Sequence, residues 1–328
     1  MIAILKNDFI RFAREKNRII MNIAITAGMI LIAIFFASRP ASASPVAYVA
    51  QAGSVAQAPA ALAPAGYSVA EMKVAPPLSS LVSGKYEAIV SGTKETGYVV
   101  KTLKNAEYER RLFSALAGSP EMSTASEKRG AGSTISGFLL MFMMMQGTMM
   151  LYLFADDKEL KILPRIASTP LPITRYLAAH GLFAFLAILL PNLAILYAIK
   201  FITGSDIGFT LFEYVLLFAV ASALSTGFSL FMNALASKGD TANMAGSAIV
   251  TLTSVLAGSF YSFERGNPVL ETFVKLLPQK AWLESASLME KGIPLSQSAH
   301  HLTYPLALSL FFFTVAFAKT GRDYIGRK

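Results

Sequence analysis

Six apolar runs, each close to the length needed to cross a bilayer, constrain this chain more than any other feature. They are Ile19–Ala37, Ile135–Phe154, Tyr176–Ile199, Phe209–Leu235, Met244–Tyr261 and Thr303–Ala318. A helix rises 1.5 Å per residue, so about 20 apolar residues cross the hydrocarbon core. Only 15% of the residues are charged, against roughly 25% in a soluble domain. The expected fold is a mainly α integral membrane protein of about six spans, with a small α/β domain between the first and second.

The net charge is +9, which raises the question of nucleic acid. The basic residues flank apolar spans and form no basic stripe, so no nucleic-acid partner is expected, and the surrounding partner is membrane lipid. Lys6, Arg11, Arg14, Lys16 and Arg18 precede the first span. Lys158, Lys161, Arg165 and Arg175 separate the second from the third, Lys238 follows the fourth, and Lys319, Arg322, Arg327 and Lys328 follow the sixth. Six spans put all of these on one side, which the positive-inside rule makes cytoplasmic, with both termini there. The expected location is a cell membrane, bacterial in type. A competing reading of the start is a signal peptide cut after Ala41-Ser42-Ala43. There is no cysteine, which excludes disulfides and thiolate chemistry.

The division expected is as follows. Residues 1–18 form an interfacial elbow helix, with Ile2, Leu5, Phe9 and Phe12 at helical spacing. Residues 19–37 are the first span. Residues 38–133 form an extracytoplasmic α/β domain with an Ala/Ser/Pro-rich start. Within it, strands are expected at 46–50, 67–74, 86–90 and 97–103, a short helix over 76–85, and a helix from Asn105 to Leu116. Residues 134–319 hold spans two to six, and 320–328 are a cytoplasmic tail. Residues 263–302, broken by Pro278 and Pro294, read as a re-entrant hairpin on the outer side, since each apolar piece is too short to span. Trp282 suits an interfacial position there.

No GxxxxGK[ST] loop, HExxH or GxSxG is present. The chain therefore lacks the common nucleotide-binding, zinc and serine-hydrolase constellations, and it is expected to bind no cofactor and no metal and to perform no catalysis. The methionine run at 141–150 reads better as adaptable packing than as a copper path. Polar groups inside spans are few: Gln146, His180, Asn192, Glu213 and Asn233. Gln146, Pro191, Asn192 and Asn233 are candidates for a translocation path, with helix–helix hydrogen bonds as the plainer alternative.

The segment DDKELKILPRIASTPLPITR, Asp156 to Arg175, interrupts the apolar runs with charge and proline. Asp156, Asp157 and Glu159 are placed at the start of a short helix, where negative charge complements the helix dipole. Leu160, Leu163 and Ile166 give it an apolar stripe. Pro164 marks a bend, and Pro170 and Pro172 stop it before the third span. The result is a rigid knuckle over 156–170, joined to two spans and suited to a groove on a soluble partner.

These residues carry a resemblance. The layout resembles the permease subunits of type-2 ABC exporters, in the branch with an ectodomain after the first span. The acidic cluster Asp156 to Glu159, then Leu160, Leu163, Arg165, Thr169 and Pro170, is similar to the family's coupling helix, except that Lys161 stands near the family's usual glycine. Pro278 and Trp282 are similar to its outer re-entrant gate, and PPLSSLVSGKYEAIVSG (76–92) to a phrase of its ectodomain. The resemblance implies two permease chains, as a homodimer or with a sister permease. It also implies a cytoplasmic ABC ATPase subunit that holds ATP and Mg and docks on Asp156, Asp157, Glu159, Leu160, Leu163, Pro164, Arg165 and Pro170. An amphiphilic peptide, drug or lipid would then be moved outward. A Na⁺ exporter permease and a membrane sensor or scaffold with a ligand-binding ectodomain remain open alternatives.

Overall fold

A computed structural model of the chain describes residues 1–38, 44–49, 62–72, 74–93, 97–103, 106–118, 130–170, 172–259 and 268–325. The Ala41–Ala43 cleavage motif, Asn105 and Tyr261 lie outside the described residues. The chain divides into two compact units. One comprises Met1–Ser38, Arg129–Phe263 and Thr272–Lys328, and the other Arg39–Lys128 with Glu264–Glu271.

The first unit is helical. α1 (Ile2–Arg14) ends at Glu15, and α2 (Lys16–Ser38) follows at once. Five helical segments are long and apolar enough to cross a membrane: Lys16–Ala37, Ala131–Glu159, Ile173–Thr203, Leu211–Leu235 and Leu295–Tyr324. They correspond to α2, to α5 (Ala131–Met150) with α6 (Tyr152–Glu159), to α8 (Ile173–Thr203), to α9 (Leu211–Leu235), and to α14 (Thr303–Ile325) with the short turns before it. The expected fifth span is α10 (Gly239–Leu256). It starts five residues earlier than expected, and its Asp240, Asn243, Ser247, Thr251 and Thr253 make it more polar than the other five. The chain is a multi-pass membrane protein by this helix content.

Hydrocarbon gives apolar side chains little reason to leave lipid for one another, so helices in a membrane associate through close packing and hydrogen bonds. Both occur in this unit. A Cβ at Gly147 of α5 would overlap Ser225 Oγ of α9, and that hydroxyl donates to the Met143 carbonyl at 2.7 Å. A Cβ at Gly227 of α9 would come within 2.8 Å of the Ser309 carbonyl of α14. Glycine at these two positions lets the backbones approach.

α11 (Pro268–Lys275) and α12 (Pro278–Glu290) meet at Leu276–Leu277, with Pro278 at the first position of α12. Proline belongs there, because that N–H has no partner within the helix. Neither helix is long enough to span. Trp282 departs from expectation: it is fully buried, and its indole N–H donates to the Leu217 carbonyl of α9 at 2.9 Å. A backbone carbonyl inside the bundle, whose second lone pair can take the indole N–H, outweighs the indole's preference for the interface. Leu217 lies six residues into α9, so α12 reaches about 9 Å along that helix.

The second unit contains a four-stranded mixed sheet in the order β2-β1-β3-β4. β1 (Ser44–Val49) pairs in parallel with β2 (Tyr67–Met72) and β3 (Ala88–Thr93), while β4 (Gly97–Thr102) is antiparallel to β3. Alternate residues of the strands serve opposite faces. Val46, Tyr48, Ala88 and Val90 pack with Leu112, Ala115 and Leu116 of α4 (Ala106–Leu116). Ala47 and Ile89 pack with Leu81 of α3 (Ser79–Val82) and with Tyr86. All four strands and both helices were expected from sequence, with ends displaced by a few residues.

Candidate functional site

The charged break is two short helices joined by a strained corner. α6 continues α5 beyond a slight break at Leu151, and α7 (Ile162–Ala167) follows Leu160 and Lys161. Lys161 sits at φ 56°, ψ 31°, in the left-handed region, and it is the only non-glycine residue there among those described. That region costs an L-residue roughly 1–2 kcal/mol. A lysine thus adopts the conformation that glycine tolerates best.

The acidic cluster was expected at a helix start and is found at a helix end. Asp156, Asp157 and Glu159 occupy the last turn of α6, where the dipole disfavours them. Each charge at the end of α6 that the chain holds is stabilised by a different helix instead. Asp157, 4% exposed, receives Arg11 of α1 at 2.8 Å and the Tyr176 hydroxyl of α8. Lys158 donates to the carbonyls of Asn233 and Ala236 at 2.9 and 2.5 Å, placing a cation at the C-terminus of α9. Glu159 accepts the Gly239 N–H at 2.7 Å, placing an anion at the N-terminus of α10. These last two contacts are the favourable pairings of charge with helix ends. Burial alone would lower the Arg11 guanidinium, but Asp157 and then Asp8 reverse this and hold it above its ordinary value.

The opposite side of the knuckle is open. Leu163 is fully buried and anchors α7 in the bundle core, whereas Asp156, Leu160, Pro164, Arg165 and Pro170 are exposed. Leu160 is 66% exposed, unusual for a leucine beside a packed core. Beneath this surface, α1, α6, α7 and α8 enclose a cleft of about 410 Å³ lined by Ile4, Asn7, Asp8, Ile162, Ile166 and His180, among others.

The candidate path residues separate into two groups. Gln146 donates to Asn22 Oδ1 at 3.2 Å and Thr26 Oγ1 at 3.0 Å, and Asn192 donates to Gln146 Oε1 at 2.6 Å. The four residues tie α2, α5 and α8 together. Pro191 flanks Asn192 inside an α8 that continues through it. Asn233 does not join them: its amide donates to Ser229 O in its own helix. Glu213 forms a capping box with Thr210 at the start of α9. Among the described residues there is no group of three or more His, Asp or Glu arranged to hold a metal ion.

The family model for ABC-2 family transporter protein matches residues 109–318, more than half of the chain. The chain belongs to the ABC-2 transporter family. No curated protein and no solved structure matches it. The matched region contains α5 through most of α14, and hence the whole knuckle of this ABC-2 permease. Domains of this kind are typically non-catalytic transport subunits that pair with an ATPase subunit.

Sequence reading gave no role at the ABC-2 knuckle to Asp8, Arg11, Tyr176 or His180, although it named Arg11 among the flanking cations and His180 among the polar groups inside spans. A signal for two of them was present, since Asp8 is the only acid of α1 and His180 lies within an apolar run. It also missed Glu290, whose carboxylate accepts the Gly132 N–H at 2.8 Å and the Ser133 hydroxyl, capping α5 from α12. Nothing local marks Glu290, which lies 158 positions from Gly132.

Proposed function

We propose that this chain is the permease subunit of an ATP-driven exporter in a cell membrane, both termini cytoplasmic. A separate cytoplasmic ATPase, carrying ATP and Mg, docks on the α6–α7 knuckle. An amphiphilic substrate, a peptide, drug or lipid, is moved outward between two permease chains. One observation carries the reading: the knuckle is bonded on its inner side to α1, α8, α9 and α10 and exposed on its outer side. A push on Leu160, Pro164 or Arg165 would reach four helices through Asp157, Lys158 and Glu159, because each bond ends on a rigid helix terminus or face. ABC-2 permeases generally pair with an ATPase subunit, which supplies the push.

The hairpin of α11 and α12, with Pro278 and Trp282, is proposed as the outer gate. Gln146 and Asn192 would line the path by exchanging their mutual bonds for bonds to substrate, with Pro191 leaving a carbonyl of α8 unpaired beside them.

The test is co-purification with candidate ATPases in lipid nanodiscs, with ATP hydrolysis measured. Arg165→Glu reverses an exposed charge and should leave the thermal midpoint unchanged, since surface substitutions stay within about 0.5 kcal/mol. A like-charge clash across an interface costs several kcal/mol, so ATPase affinity should fall at least about tenfold. Wild-type affinity and hydrolysis in Arg165→Glu would remove the docking assignment. Transport assays with labelled peptide, drug and lipid probes in proteoliposomes then decide substrate class and direction.

A further inference from the structure

Asp8 and His180 have no part in the proposed docking, and both are inside the protein, 0% and 1% exposed. His180 Nδ1 lies 2.9 Å from Asp8 Oδ2 of α1, and His180 Nε2 lies 3.6 Å from Asp157 Oδ2 of α6. Neither approach has hydrogen-bond alignment, and Asp8 Oδ1 has no donor at all. One imidazole therefore stands between two carboxylates on two different helices.

The charges around this ring can be counted. α1 contributes Asp8 and Arg11, α6 contributes Asp157, and α8 contributes Tyr176 and His180 itself. Phe154 of α6 and Tyr176 contact the ring, with centroids 6.0 and 4.5 Å away. Toward α9 and α14, Leu230 and Phe313 meet the adjacent Gly181 and bring no charge. Lys158 is committed to the end of α9, and Arg18 of α2 lies over the Tyr152 ring at 4.0 Å. Two carboxylates thus face one guanidinium, and that guanidinium is bonded to Asp157. A buried carboxylate without a compensating charge is strongly disfavoured. A neutral imidazole can donate from one nitrogen only, whereas an imidazolium donates from both, and here both nitrogens face carboxylate oxygens.

We propose that Asp8 and His180 form a proton-binding site that latches α1 to the knuckle. With the proton bound, the imidazolium bridges Asp8 and Asp157, and the count of two anions and two cations closes. When the proton passes to water through the neighbouring cleft, two carboxylates face a neutral ring, and the Arg11–Asp157 pair is left to hold α1 to α6 against the repulsion of Asp8 and Asp157, which loosens the contact. Phe9 and Phe12 still hold α1 to Phe183 of α8, at centroid separations of 5.1 and 5.6 Å, so the opening is a shift of α1 relative to α7 and leaves the bundle intact. The latch is complete when the ring carries its proton and is lost when it does not.

The chain has no cysteine, so a labelled pair can be introduced directly. Lys6→Cys on α1 and Ser168→Cys after α7 are both exposed. Spin labels on them, in full-length protein diluted with unlabelled chain in nanodiscs, report the α1–α7 distance by pulsed dipolar spectroscopy at pH 5.5, 7 and 8.5. The expected result is one narrow distance at pH 5.5 that moves to longer, broader values at pH 8.5. His180→Gln should give the longer distribution at every pH, and Asp8→Asn should abolish the pH response. A wild-type distance that does not change with pH overturns the latch, as does a pH response that survives in both variants. If neither variant folds, the wild-type series alone decides. No ATPase or substrate is present, so this result is separate from that of the docking test.

Discussion

Glu159 and Gly239, 80 positions apart, are joined by a 2.7 Å hydrogen bond from the Gly239 N–H to the Glu159 carboxylate. The bond divides the knuckle's acids by role. Both Glu159 and Asp156 are exposed, but Glu159 caps a helix within its own chain and, among the described residues, Asp156 accepts no such bond. Glu159→Ala should destabilise the bundle by about 1 kcal/mol, the usual loss of an N-terminal cap. Its thermal midpoint in nanodiscs should drop, while the folded fraction keeps its ATPase affinity. An unchanged midpoint with lost affinity would reverse these roles.

Lys161 offers a gain. Its left-handed backbone costs roughly 1–2 kcal/mol, part of which glycine would return through its freer unfolded chain. Lys161→Gly should raise stability by about 0.5–1 kcal/mol, and Lys161→Val should lower it, since a β-branched residue fits this region worst. Thermal unfolding of the two variants side by side provides the check. A loss of stability in the glycine variant would show that the corner is not left-handed in the folded protein.

Gln146 connects Asn22, Thr26 and Asn192. Gln146→Leu leaves these partners facing an apolar side chain. Interhelical hydrogen bonds in membranes average about 0.6 kcal/mol and reach about 1.7, so losing the set should cost roughly 1–2 kcal/mol. If the network is only a staple, transport per folded molecule is unchanged. If it lines the path, transport falls well beyond the loss of folded protein.

Gly147 sets the spacing of α5 and α9. A methyl group there overlaps Ser225 Oγ and comes within 2.7 Å of Ser229 Oγ. Gly147→Ala should cost about 1–3 kcal/mol through overpacking. Adding Ser225→Gly should recover only part of it, because Ser229 Oγ at 2.7 Å and the Ser225 carbonyl at 2.8 Å remain close. Full recovery, or no initial loss, would mean that the two helices are free to separate.

Legibility differed between elements for physical reasons. The sheet domain was readable because strands show their two-residue alternation and their glycine turns locally: Gly84 and Gly97 both have the positive φ that their turns need. The knuckle was readable as charge and proline between apolar runs. Its internal geometry was not. The acids of 156–159 look like a helix start, since carboxylates favour that end, but α6 continues α5 past Leu151 and ends at Glu159. The cost of their position is offset by α1, α8 and α10, whose contributions no local pattern contains. Trp282 was misplaced for a similar reason: an indole can satisfy its N–H at the interface or on a buried carbonyl, and Leu217 provides the second.

Sequence by itself determined that the chain crosses a membrane several times, that a small α/β domain follows the first span, and that a charged knuckle follows the second. These follow from hydrophobic periodicity and local turn chemistry, which each segment carries within itself. Tertiary structure alone decided what the charges do: Asp157 receives Arg11, Lys158 and Glu159 cap α9 and α10, and His180 stands between Asp8 and Asp157. Lys158 and Asn233, 75 residues apart, or Arg11 and Asp157, 146 apart, leave no local trace of each other, because an ion pair or a cap depends on distance in space, and that distance exists only once the helices pack.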